Sequence, residues 1–127
     1  MFAACAANVL DVPANVTVRA TPAQLGPGPA VDADADPQIR AISLSSLTLE
    51  RGQTWAGEVS TSTNAASVEI RTDSFSFSVP RKRIGVFAFA YPIPDLPPYL
   101  RRHFVLHVVA RNSGGTKTDE ALPIEIR

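Results

Sequence analysis

"HFVLHVVARNSGGTKTDEALPIEIR", His103 to Arg127, holds the pattern that decides the fold. Phe104, Leu106, Val108 and Ala110 fall on one side of a period-two repeat, and Leu122, Ile124 and Ile126 answer them after Asn112-Ser113-Gly114-Gly115. Successive side chains of a strand point to opposite faces, so both runs read as strands with one apolar face each. Glycine takes the positive φ angles of a tight turn at no steric cost and Asn112 suits them too, so the pair reads as a closing hairpin.

The same texture reaches back to Ile39. "IRAISLSSLTL" (39–49) breaks at Ser45-Ser46 and predicts a strand that passes from one sheet to another. "TWAGEVSTST" puts Trp55, Gly57 and Val59 on one face, and "ASVEIRT" sets Val68 and Ile70 inward against Glu69 and Arg71. "SFSFSV" alternates Phe75, Phe77 and Val79 with serines, and Pro80 with "RKR" is expected to end it. "IGVFAFAY" carries Phe87, Phe89 and Tyr91 on one side. "PIPDLPPY" has four prolines in seven residues, which forbids a central strand and predicts a loop. No window shows helical periodicity. About seven short strands with regular turn signals predict two facing layers, each wet on one side only. Each inward Phe or Leu contributes about 1.5–3 kcal/mol when fully buried, so such a sandwich needs no disulfide.

The closing hairpin resembles the last two strands of immunoglobulin-like and fibronectin type III-like domains, with the bacterial members of secreted and surface proteins as the nearest group. In those families an aromatic opens the penultimate strand, an alternating run leads to Ala-x-Asn, and a glycine turn follows. Phe104, Ala110, Asn112 and Gly114-Gly115 fill those places here. The resemblance implies an all-β, two-sheet immunoglobulin-like β-sandwich over residues 37–127; composition makes residues 1–36 a signal remnant and a disordered or extended Pro/Ala/Gly-rich tether. Two departures stand out. Tyr is usual where Phe104 stands, so a corner hydrogen bond is replaced by packing. The inter-sheet disulfide is impossible with one cysteine, and Trp55 stands too early for the family's core Trp and reads as a large core residue.

The chain is net neutral, but unevenly so. Residues 1–36 hold one base against four acids, a net −3, and residues 37–127 hold eleven bases against eight acids, a net +3. So small an excess argues against a nucleic-acid binder. No apolar run approaches membrane-spanning length. "TPAQLGPGPAVDADADP" is rich in Pro, Gly and Ala without an apolar period, which predicts a tether, although "ANVTVRA" (14–20) alternates well enough to add an edge strand. "DADAD" lacks the glycine and closing glutamate of a calcium loop and reads as a solvated acidic linker. At the start, Phe2-Ala3-Ala4-Cys5 resembles the end of a bacterial lipoprotein signal, with Phe where Leu is usual. On that reading the charged and apolar parts of the signal stand upstream, Cys5 is a lipid anchor, and the domain is periplasmic or at the cell surface. On the other reading Cys5 is a free thiol in a frayed terminus.

Chemistry-bearing residues are few. His103 and His107 lie four apart on one strand, hence on one face but separated by about 13 Å, too far to share an ion. The order of Cys5, Met1 and the histidines excludes a blue-copper arrangement, and no nucleophile, zinc-protease or phosphate-loop motif is present. No enzyme, metal or cofactor is expected. A binding patch is the remaining candidate: Arg81, Lys82, Arg83, Arg101 and Arg102 at strand ends, with Tyr91 and Tyr99 beside the proline loop. If the loops bring them to one end of the sandwich, they form a cationic, aromatic-edged surface for a protein or glycan partner. The expected role is a non-catalytic extracytoplasmic module that binds or presents. The alternatives are an assembly module pairing through an open strand edge, and a carbohydrate-binding module using residues 91–102.

Overall fold

Each apolar run expected to be a strand forms one in the computed structural model, which describes residues 15–73, 75–95, 97, 99 and 102–127. The strands are β1 (Val16–Val18), β2 (Ile39–Leu44), β3 (Thr48–Leu49), β4 (Thr54–Thr61), β5 (Ala65–Arg71), β6 (Ser76–Val79), β7 (Arg81–Arg83), β8 (Val86–Pro92), β9 (His103–Asn112) and β10 (Lys117–Ile126). They form two five-stranded sheets, sheet A in the order β1-β2-β4-β8-β7 and sheet B in the order β3-β10-β9-β5-β6. No helix longer than a single turn interrupts them among the described residues.

Ten strands stand where about seven were expected, and the additions are all short edge pieces. The break at Ser45-Ser46 does pass the chain between sheets: β2 pairs with β4 in sheet A, and β3 pairs in parallel with Glu125 and Ile126 of β10 in sheet B. Val16–Val18 adds β1 in parallel to Ile42–Leu44. Arg81–Arg83 does not simply end β6: after Pro80 the chain changes sheet and pairs with β8. Three exposed cations there suit an edge, where charge discourages further pairing.

Between the sheets lies one core. Leu44, Val59, Ile70, Leu106, Val108 and Ala110 are wholly buried there, with Trp55 and Phe87 almost so. Trp55 and Phe77 meet edge to face at 6.3 Å between ring centroids, and Phe89 meets them at 5.0 and 5.5 Å. Edge-to-face contact sets positive ring edges on negative faces and adds about 0.5–1.5 kcal/mol per pair beyond burial. The Trp55 indole N–H, which an apolar core would strand, donates to the Ser46 carbonyl at 3.0 Å, where the chain changes sheets. Gly57 allows this packing, since a Cβ there would come within 2.8 Å of Leu44 Cδ2 and 2.9 Å of Phe89 Cε1.

The closing hairpin uses Asn112 differently from the sequence reading. Gly115 takes the positive φ (91°), while the Asn112 side chain accepts from the N–H groups of Gly114 and Thr116, both at 3.0 Å, and donates to the Ala35 carbonyl at 2.9 Å. At the opposite end, Phe104 is 5% exposed and the Arg102 guanidinium lies over its ring, 4.6 Å from the centroid. That cation–π contact covers the Phe104 ring.

Residues 19–37 form no strand or helix, turn once at Asp32–Ala35, and are hydrogen-bonded to the sandwich at intervals. Arg19 N–H donates to the Leu44 carbonyl, and Ala23 N–H to Ser43 Oγ at 2.9 Å. Leu25 N–H donates to Glu58 Oε1 at 3.0 Å, Ser60 Oγ donates to the Gly26 carbonyl, and Gly28 N–H bonds the Thr61 carbonyl at 2.8 Å. Ser43, Glu58 and Ser60 alternate with the inward residues of β2 and β4, so the segment crosses the outer face of sheet A. Their burial follows from it: Ser43 is 0%, Glu58 8% and Ser60 4% exposed. Glycine is required where this cover lies closest. A Cβ on Gly28 would sit 2.7 Å from both Arg40 Cγ and the Thr61 carbonyl oxygen. Gly85 has a φ of +77° and would press on Pro27 Cβ at 2.8 Å.

Candidate functional site

The residues expected to form one patch are divided between two places. Arg81 pairs with Phe87 and Arg83 with Val86, at the start of β8, while Tyr91 lies near its end. Five residues of strand separate them, roughly 16 Å. Two of the three cations also serve the fold. Lys82 Nζ lies 3.1 Å from Glu58 Oε2, and Arg83 Nη2 donates to the Leu25 carbonyl at 2.7 Å. They clamp the segment over sheet A. Arg81 has no side-chain partner among the described residues and faces solvent.

Tyr91, Tyr99 and Arg102 lie at the other end, and Arg101 and Cys5 fall outside the described residues. Tyr91 is stacked face to face on Phe77, with centroids 4.9 Å apart and planes 3° from parallel, so one of its faces is already used. It closes the gap between sheet A and the β6 edge of sheet B. Tyr99 is 75% exposed. Arg102 is ion-paired with Asp73 at 3.2 Å besides covering Phe104.

The outer face of sheet B carries a row of polar and charged side chains. From β9 it presents His103, Val105, His107, Val109 and Arg111; from β10 Glu125, Pro123, Ala121, Asp119 and Lys117; and from β5 Arg71 and Glu69. His107 Nδ1 lies 2.9 Å from Asp119 Oδ1. Glu69 bridges Arg111 at 3.2 Å and Arg71 at 3.8 Å, and this ring of charges covers Val109, which is 3% exposed. Two shallow grooves flank His107. One of about 330 Å³ is lined by Arg71, Thr72, Asp73, Val109, Lys117 and Asp119 besides His107. The other, about 320 Å³, runs over Asp73, His103, Phe104 and Val105. Val105 is 56% exposed, an apolar point within a charged rim.

The two histidines do share a face, as their spacing required, but the groups around His107 were not foreseen. Asp119 and Lys117 reach it through the hairpin register, in which Ala121 faces His107 and Asp119 faces Val109. That register follows from the turn closing on Asn112 and Thr116, so the length of the turn was the available signal. Arg71 and Asp73 come from β5 and its following turn, whose pairing with β9 has no local signal. Chemically the surface offers paired charges and an apolar point rather than a nucleophile with a base. No group of three or more His, Cys, Asp or Glu side chains is gathered for a metal among the described residues. Neither the comparison with protein-family models nor that with curated proteins gives a match.

Proposed function

We propose that the chain is a non-catalytic immunoglobulin-like binding module, used outside the cytoplasm and tethered at its N-terminus, that meets a protein partner through the outer face of sheet B. One observation carries this reading: the chain seals the outer face of sheet A with its own residues 19–31, whereas none of the described residues lies over the corresponding face of sheet B. Binding surfaces combine an apolar centre with a polar rim, and Val105 flanked by His103, His107 and Asp73 has that composition. Support for the immunoglobulin-like kinship comes from the first long strand's passage between sheets, the strand order and the closing hairpin. The Phe2-Ala3-Ala4-Cys5 sequence supports the tether and the compartment.

The test is binding to fractionated cell-envelope proteins by the full chain and by Val105→Asp, with Ile84→Asp as control, since Ile84 is 62% exposed but lies outside sheet B. A specific partner retained by the wild type and the control, and lost with Val105→Asp, is the expected result. Equal retention by all three would remove the reading. Tyr99, at 75% exposure, favours a second reading, carbohydrate binding by the loop over residues 91–102. A glycan array on which Tyr99→Ala loses a signal that Val105→Asp keeps would select it.

A further inference from the structure

The segment over sheet A is held differently from the strands beneath it. Val16 and Ile39 pack against the core between the sheets, and residues 17–38 add no side chain to it. Single polar contacts hold them instead, and these come in chain order. Ala23 N–H meets Ser43 Oγ, Leu25 N–H meets Glu58 Oε1, and the Gly26 carbonyl meets Ser60 Oγ. Gly28 N–H then meets the Thr61 carbonyl, and the Pro29 carbonyl accepts from Thr63 N–H at 3.0 Å. Since Ser43 stands opposite Glu58, the segment climbs β4 from Glu58 toward Thr61. Before it, β1 runs parallel to β2, in the opposite sense to this climb: the Asn15 carbonyl accepts from Ile42 N–H, and Arg19 N–H donates to the Leu44 carbonyl. After it stand firmer anchors. The Ala35 carbonyl accepts from both Asn64 Nδ2 at 2.6 Å and Asn112 Nδ2 at 2.9 Å, and buried Pro37 accepts from Thr118 Oγ1.

We propose that residues 15–34 are a load-release strap: tension on the domain first slides β1 off β2, then peels the strap from sheet A, and halts at Ala35 and Pro37 with the sandwich still folded. The direction of the strands sets this order. The chain of β2 continues into β3, which runs parallel to the end of β10, so Arg127 lies beyond the end toward which β1 runs. Load drawn between Asn15 and Arg127 therefore acts along β1, and its bonds to β2 resist together, in shear. Once β1 has slid free, the same load lifts the strap from its Ala23 end, and each contact then bears it alone. Contacts loaded singly yield at lower force than a row loaded at once. Beyond Pro37 the load meets β2, whose Ile42 and Leu44 are core residues, so further extension must open the core. The freed length, about 20 residues at about 3.3–3.6 Å each, adds about 65–70 Å to the tether. Water can take over the polar groups of Ser43, Glu58 and Ser60, which makes this a local opening that closes again when the tension falls. That load enters through the N-terminus rests on the tethered reading, whereas the response to it belongs to the fold.

Optical tweezers on the full chain test this, with one handle on the new thiol of Asn15→Cys/Cys5→Ser and the other on a C-terminal tag. Two steps are expected in each trace: a first of about 65–70 Å, and a second, several-fold longer and at higher force, from the sandwich. Moving the first handle to exposed Gln38, as Gln38→Cys/Cys5→Ser, loads the domain beyond the strap and should delete the first step while keeping the second. Thr17 lies between Asn15 and Arg19 and bonds β2 by the same alternation, so Thr17→Pro should lower the force of the first step. Glu58→Ala should lower it too, by removing the acceptor of Leu25 N–H. The second step shows in every trace that the sandwich had folded. Handles apply the load whether or not the chain is tethered or bound, so failure here leaves the reading of sheet B standing, and loss of that reading leaves these steps unchanged. A single rupture that frees strap and sandwich together would overturn the proposal. So would a first step that survives loading at Gln38, or one that neither Thr17→Pro nor Glu58→Ala weakens.

Discussion

The outer faces of the two sheets have similar sequence patterns and opposite fates. On sheet A, Ser43, Glu58 and Ser60 alternate with core residues as solvent-facing positions do, yet each is buried beneath residues 19–31. On sheet B, His103, Val105 and His107 alternate in the same way and remain at the surface. The difference is what the polar groups on each face are matched to. Sheet A offers Ser43 and Glu58 oxygens to backbone N–H groups, Ser60 Oγ to a carbonyl, and a carboxylate for Lys82, so an extended segment of low side-chain content can lie on it with its main chain satisfied. Sheet B has already spent its charges on one another, through Glu69 with Arg71 and Arg111 and through Asp119 with His107. A covered polar face depends on every partner, whereas an open one tolerates loss to water.

The sharpest way to break this contrast is to wedge the cover. Gly85→Val places a β-branched residue at a φ of +77° and presses on Pro27, and should lower stability by about 2–4 kcal/mol in urea unfolding. Ala121→Val on the open face, measured at low protein concentration, should change it by less than about 0.5 kcal/mol. Glu58→Ala comes next. It removes the acceptor for Leu25 N–H and the partner of Lys82, and is expected to cost about 1–3 kcal/mol, against less than about 0.5 kcal/mol for Asp119→Ala in its exposed pair. Equal losses at Glu58 and Asp119 would end the distinction between the faces. The smallest effect belongs to the corner. Arg102→Met uncovers the Phe104 ring and should cost about 0.5–1 kcal/mol in thermal or urea unfolding.

How far the sequence revealed this differs from one region to another. Period-two alternation located β4, β5, β8, β9 and β10, and the Ser45-Ser46 break marked the change of sheet, because burial on one face leaves a local record. The cover over sheet A leaves none. Residues 19–31 have no apolar period since they bind through main-chain groups, and Glu58 reads as an ordinary outward carboxylate until its partners at Leu25 and Lys82 are known. The same reason divides the basic residues: Lys82 and Arg83 resemble a surface patch in sequence, yet their partners, Glu58 and Leu25, stand 24 and 58 residues earlier in the chain. His103 and His107 were placed correctly on one face by strand spacing, while Arg71 and Asp73 beside them depend on strand pairing that no local pattern encodes.

Native-state amide hydrogen exchange at Leu25 and Gly28 tests the central claim most directly, since both N–H groups are held only if residues 19–31 are part of the folded sandwich. The account predicts exchange many-fold slower than in an unstructured peptide of the same sequence, and a loss of that protection in Gly85→Val before the core amide of Leu106 is affected. Exchange at the unstructured rate in the wild-type chain would contradict it.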